Sequence, residues 1–351
     1  MFRGLSTIFA RPLLFSAALL AISATGSAQL EPASPPIADP SDTRFQGVDE
    51  DWTSPSLSKS HLRPVRPLLG YINRQHPGYT VELLRVQWRW GDPIDLYVMK
   101  PTGVKKPPVI VYLYGYPADT QIFKEEVFQN TVTKDGFAAV GFVTALTGHR
   151  YHDIPMRKWF VSELQQCLAV SAHDVQMVLD FLATRGDLDM DRIGVYAQWS
   201  GATIGILTSA VDPRIKVLDT LDPWGDWPTW MATSPFVPEN ERPDYVKPEF
   251  LAKLSTLEPL HWIPKIQAKK FRLRQRGFET ETPDASKDKL RAAVPPGASV
   301  AFYKTHEDFE RAVGEHGDKD LEWIEHELRA LPEPDSKATE TPATPPASGS
   351  N

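Results

Sequence analysis

The chemistry open to this chain turns on Ser200 and its neighbour Trp199, which stand where a strand passes abruptly into a helix. The stretch Asp191-Arg192-Ile193-Gly194-Val195-Tyr196-Ala197-Gln198-Trp199-Ser200-Gly201-Ala202-Thr203-Ile204-Gly205-Ile206-Leu207 reads as a short apolar strand, a turn of small residues and the start of an apolar helix. Such an elbow lifts one side chain to the top of a sheet, and small residues two before and two after the tip let the helix close onto the strand. Two registers fit. With residue 199 at the tip the flanks are Ala197 and Gly201, both small, but the tip is Trp199 and no nucleophile stands there. With Ser200 at the tip a nucleophile is present, flanked by the bulkier Gln198 and by Ala202. Sterics favour the first register, yet it asks a tryptophan to hold φ > 0, which is unusual for a bulky residue. A distorted turn that brings the Ser200 hydroxyl to the site keeps the second open.

An elbow of this kind needs a sheet and helices around it, and the pattern supplies them. Val81–Trp90 and Ile94–Lys100, broken by Gly91-Asp92-Pro93, alternate like an antiparallel hairpin. Pro108–Tyr114 and Ala138–Val143 read as buried strands, with a helix over Ile122–Thr133 between them. Leu164, Leu168, Ala172, Val175, Leu179 and Leu182 lie on one face of a long helix that stops before Gly186. Beyond the elbow come a sixth strand, Ile215–Leu221, then a long aromatic and Pro-rich insertion, a strand over Lys270–Gln275, a helix near Ala285–Ala293, a strand over Ser299–Tyr303 and a closing helix Leu321–Leu331. Strands alternating with helices predict an α/β fold with a mostly parallel sheet covered on both faces.

The ends are of different composition. Residues 1–28 carry Arg3 and Arg11, the apolar run Leu13–Ile22 and then Gly26-Ser27-Ala28, which predicts a signal peptide cleaved after Ala28 and a secreted or periplasmic protein. The run is too short to span a bilayer, so no stable membrane anchor is expected. Residues 29–64 are rich in Pro and Ser and read as a linker or loosely packed arm. Residues 332–351 hold no large apolar side chain and are expected to be disordered. The formal charge is −7, and losing Arg3 and Arg11 with an acid-free leader would make it −9, which argues against nucleic acid or an anionic membrane as partner. A lone Cys167 can form no internal disulfide and falls in the long helix as a buried thiol.

The leading hairpin, the buried strand ending Val111-Tyr112-Leu113-Tyr114-Gly115-Tyr116-Pro117, the elbow and the strands after it resemble the α/β-hydrolase superfamily over roughly residues 65–331. The nearest members are dienelactone-hydrolase-like and acetyl-xylan-esterase-like secreted enzymes. The resemblance implies a cap-like insertion at 222–262, after the sixth strand. It also implies site residues. The loop Tyr114-Gly115-Tyr116-Pro117 stands where the family has an oxyanion-binding loop, so the backbone N–H groups of Tyr116 and of Gly201, after Ser200, are the candidate donors. His306, following the strand Val300-Ala301-Phe302-Tyr303 on a short loop, stands in the place of the general base, a role suited to an imidazole because it titrates near neutral pH. The acid that orients it is Glu279, counted back from Pro283, or Asp222 at the end of the preceding strand.

Trp224 and Trp227 in the insertion, with Trp199, would wall an aromatic pocket, or would simply pack the insertion onto the sheet. His149, His152 and Asp153 are more simply polar loop residues than metal ligands, and no cofactor or metal is implied. Two functions lead, ahead of a scaffold recognised by partners, which has only the tails in its favour. One is a serine hydrolase acting on a small carboxylic ester through Ser200, His306 and Glu279 or Asp222. The other is a catalytically degenerate protein of the same fold that binds an aromatic or sugar-like ligand.

Overall fold

The computed structural model describes residues 49–65, 68–116, 120–147 and 160–333. The expected signal peptide, the arm up to residue 48, His149, His152, Asp153 and the tail from residue 334 lie outside the described residues.

Nine strands form one sheet: β1 (Gly70–His76), β2 (Tyr79–Val86), β3 (Ile94–Pro101), β4 (Pro108–Leu113), β5 (Ala138–Gly141), β6 (Asp189–Gln198), β7 (Ile215–Leu221), β8 (Lys270–Arg276) and β9 (Ser299–Tyr303). Their order is β1-β2-β3-β5-β4-β6-β7-β8-β9, antiparallel from β1 to β5 and parallel from β5 to β9. All six residues of β4 are buried, as a continuous apolar run between two covered faces requires. The helices are α1 (Gln121–Lys124), α2 (Glu126–Thr133), α3 (Leu164–Ala183), α4 (Ser200–Ser209), α5 (Trp227–Thr233), α6 (Arg242–Tyr245), α7 (Pro248–Ser255), α8 (Pro259–Trp262), α9 (Asp284–Ala292), α10 (His306–Val313) and α11 (Glu322–Arg329). Alternate residues of each strand divide the core: Val109, Val111, Val195 and Ala197 face α3 and α4, while Ile110, Tyr112 and Tyr196 face α2 and α11.

Three differences from the sequence reading have physical causes. The hairpin carries one more strand, β1, whose residues are mostly exposed and polar, so no buried face announces it. The insertion therefore follows the seventh strand of the sheet, not the sixth. The single helix expected over 122–133 is two, because Glu125 is extended, with ψ 122°. Residues after Tyr303 do not form a loop around His306. Thr305 caps α10 in a capping box, its hydroxyl accepting the Asp308 N–H at 3.2 Å while the Asp308 carboxylate accepts the Thr305 N–H at 3.3 Å, which puts His306 in the first turn of a helix.

The described part of the arm is packed. α3 is buried on nearly all sides, including His173, Asp174 and Gln176, because residues 49–60 cover the polar part of its surface. Gln176 donates to the Pro55 carbonyl at 2.7 Å, and the His173 ring nitrogens lie 2.5 Å from Glu50 and 3.0 Å from the Ser54 carbonyl. Glu50 also pairs with the fully buried Arg89, which bonds Asp174 as well. Burial raises the Glu50 carboxyl, but the hydrogen bonds and charges of Arg89 and His173 outweigh it and hold the group at about 2.

Candidate active site

The elbow forms between β6 and α4, and Trp199 is its tip. Trp199 has φ 51° and ψ −124°, outside the regions an L-residue ordinarily adopts, while Ser200 begins the helix. Two bonds hold the turn: the Trp199 N–H donates to the Leu221 carbonyl at 2.8 Å, and its carbonyl accepts the Thr203 N–H at 3.1 Å. The flanks explain the geometry. A Cβ on Gly201 would stand 2.1 Å from the Leu113 carbonyl oxygen, and one on Gly115 would stand 2.6 Å from the Trp199 Cβ, so neither position admits a side chain while the elbow sits this close to the end of β4.

Ser200 is fully buried, and its Oγ accepts the backbone N–H of Tyr116 at 2.8 Å. The N–H expected to serve an oxyanion is therefore bound to the serine's own hydroxyl. Trp199 is half-buried, and its indole N–H is enclosed without a hydrogen-bond acceptor.

Arg276, at the end of β8, organises the charged half of the site. Its backbone N–H and Nε donate to the Asp222 carboxylate at 2.7 and 2.5 Å, and its Nη2 lies 3.1 Å from Glu279. The guanidinium carbon is 5.4 Å from the centre of a Trp199 ring and 5.3 Å from that of Phe309. Both candidate acids are thus bound to one cation. Glu279 also accepts the backbone N–H groups of Thr280 at 2.8 Å and Glu281 at 3.1 Å. Burial pushes the Asp222 carboxyl up, Arg276 opposes this, and the charge of Glu279 adds to it.

His306 stands apart from these groups. Its side chain is half-exposed, with Nε2 3.2 Å from Glu310 and the ring edge-on to Phe278 at 5.3 Å. Among the described residues no hydrogen bond joins Ser200, His306 and either acid. Trp224 and Trp227 are fully buried against Trp230, the first tilted at 33° and the second edge-on at 87°, so they pack the insertion onto the sheet. A cavity of about 390 Å³ inside the insertion is lined by Trp227, Pro228, Pro248, Leu251 and Leu260 and does not include the elbow.

Two charged residues beside the elbow escaped the sequence reading. Arg276 had a signal, a basic residue closing a strand just ahead of the acid loop. Glu281 had none: its carboxyl oxygen Oε2 is enclosed without a hydrogen bond. Burial, reinforced by Glu279 and Asp222 and eased by Arg276 and the Trp224 indole, holds the Glu281 carboxyl at about 8. Among the described residues no group of three His, Cys, Asp or Glu side chains is placed to hold a metal ion, and no helix is long and apolar enough to cross a membrane.

No protein-family model and no curated protein sequence matches this chain. Solved structures do. An acetyl xylan esterase from Paenibacillus sp. R4 superposes with a TM-score of 0.58 at 18% identity, covering 74% of this chain and 89% of that one. Acetyl xylan esterase 1 from Thermoanaerobacterium sp. JW/SL YS485 gives 0.60 at 14% identity, covering 76% and 88%. A cold-adapted esterase from an Arctic intertidal metagenomic library gives 0.53 at 12%, covering 75% and 100%. The chain has the α/β-hydrolase fold. Within the α/β-hydrolase fold the elbow tip is the nucleophile's place, and here it holds a carbon-and-indole side chain with no group able to attack a carbonyl.

Proposed function

We propose that this chain is a catalytically silent protein of the α/β-hydrolase fold that binds a small ligand at its elbow without cleaving it. The observation that carries the reading is Trp199 at the tip, with Ser200 turned into the helix and bound to the Tyr116 N–H. A half-buried indole in that place offers an aromatic face, which suits the ring of an aromatic ligand or the apolar face of a sugar-like one. Calorimetry with methyl benzoate and with cellobiose tests this. Wild type should bind one of them and return it unhydrolysed, and Trp199→Ala should not bind; absence of binding to both would sink the reading.

A second reading has its own support. Ser200 Oγ already faces a backbone donor, and Glu279 and His306 follow successive strands, β8 and β9. On this reading the chain is a secreted serine hydrolase of a small carboxylic ester, with Ser200 as nucleophile, His306 as base, Glu279 or Asp222 as acid, and Tyr116 and Gly201 N–H groups as oxyanion donors. Hydrolysis of 4-nitrophenyl acetate that falls at least about a hundredfold in both Ser200→Ala and His306→Ala would favour it. Export belongs to both readings, and N-terminal sequencing of the exported protein should find Gln29 first; an intact Met1 would overturn that.

A further inference from the structure

The two open edges of the sheet differ. β9 exposes Val300 and Phe302, which point to one face, and Arg291 covers Phe302 with its guanidinium carbon 4.5 Å from the ring centre. β1 is exposed on both faces: Tyr71 at 56% and its neighbour Ile72 at 49% point to opposite sides, and every residue from 71 to 75 is exposed. Among the described residues the outer edge of β1 ends the sheet, and no described strand pairs with its backbone donors and acceptors on that side.

Charge gives this edge a sign. In a chain of net charge −7, residues 52–81 contain four Lys and Arg and no Asp or Glu. Lys59, Arg63 and Arg74 are exposed. Arg74 stands opposite Val81 and pairs with no carboxylate among the described residues, while Glu82, opposite Asn73, is engaged by Lys100 at 3.1 Å and Arg185 at 2.6 Å.

We propose that the outer edge of β1 receives an extended acidic segment of a partner protein as an added strand. An added strand satisfies the backbone edge and covers Tyr71 on one face and Ile72 on the other. A lipid surface could cover only one of those faces. The absence of acids along 52–81 selects a partner of negative charge, and Arg63 and Arg74 would steer it.

Hydrogen exchange and fluorescence anisotropy with a short synthetic peptide of alternating Glu and Val test the proposal. The peptide should bind, slow exchange at the amides of 70–76, and bind at least about fivefold more weakly in Arg63→Glu/Arg74→Glu at low salt, while a Lys-Val peptide should not bind. Both substitutions are on exposed side chains, and an unchanged far-ultraviolet spectrum shows that the variant is folded. Failure of the Glu-Val peptide to bind, binding without protection of 70–76, or equal binding by the double variant would overturn it. So would concentration-dependent protection of 70–76 without peptide, which would assign the edge to a second copy of the chain. Equal loss of binding to anionic phosphatidylglycerol vesicles, with no peptide binding, would assign it to a membrane.

Discussion

Arg276 decides the electrostatics of the elbow, because it engages both carboxylates that could orient an imidazole. Asp222 is buried, and it tolerates burial because two N–H groups of Arg276 donate to it. Removing one partner of such a pair leaves a charge without compensation, which costs about 3–5 kcal/mol. Arg276→Met should therefore destabilise the fold by about that much in urea titration, and Asp222→Asn in the same background should recover part of it. Glu281 gives a second prediction at this scale. Its folded-state value of about 8 lies above the ordinary 4.5, so the folded chain holds a proton that the unfolded chain releases. The stability it contributes is full below about pH 4.5 and is lost as pH rises towards 8. Glu281→Gln should flatten that limb of a stability profile measured by denaturant titration; an unchanged slope would remove Glu281 as its source.

At the scale of elements, the elbow between β6 and α4 packs against the end of β4, and that contact depends on Gly201. A Cβ there would overlap the Leu113 carbonyl oxygen at 2.1 Å, so Gly201→Ala must push α4 off the sheet. Overpacking of this kind costs about 1–3 kcal/mol, and a midpoint of unfolding equal to wild type would contradict the geometry. The elbow was legible in the sequence because Ala197 and Gly201 are small at the spacing the turn requires. The sequence left its register open because a steric preference for Trp199 at the tip competed with the φ > 0 it demands. β4 and the parallel strands were legible as apolar runs with turn signals. β1 was not, since an edge strand exposed on both faces has no apolar period. The helix at His306 had a readable signal, Thr305 and Asp308 three residues apart, obscured by the expectation of a loop that came with the fold resemblance. The pairing of Arg276 with Asp222 was not legible, because it joins positions 54 residues apart, and the burial of Glu281 left no mark in its neighbours.

For the whole molecule, the N-terminal arm from residue 49 is part of the folded unit through Glu50, Arg89 and His173. Glu50 is held at about 2 against an ordinary 4.5. Its contribution to stability is present above about pH 4.5 and is lost as pH falls towards 2. Glu50→Gln should lower stability at neutral pH and weaken its decline through that acid range, read by circular dichroism. The fold is that of hydrolases, and the account turns on whether this chain keeps their nucleophile. A serine reacts with a fluorophosphonate only where a base activates it and donors hold the forming oxyanion, so labelling reports an assembled site. Mass spectrometry of the folded wild-type protein after fluorophosphonate treatment should find Ser200 unmodified, because Trp199 occupies the tip and the Tyr116 N–H is already bound. A phosphonate adduct on Ser200 that disappears in His306→Ala would contradict the account and restore the hydrolase.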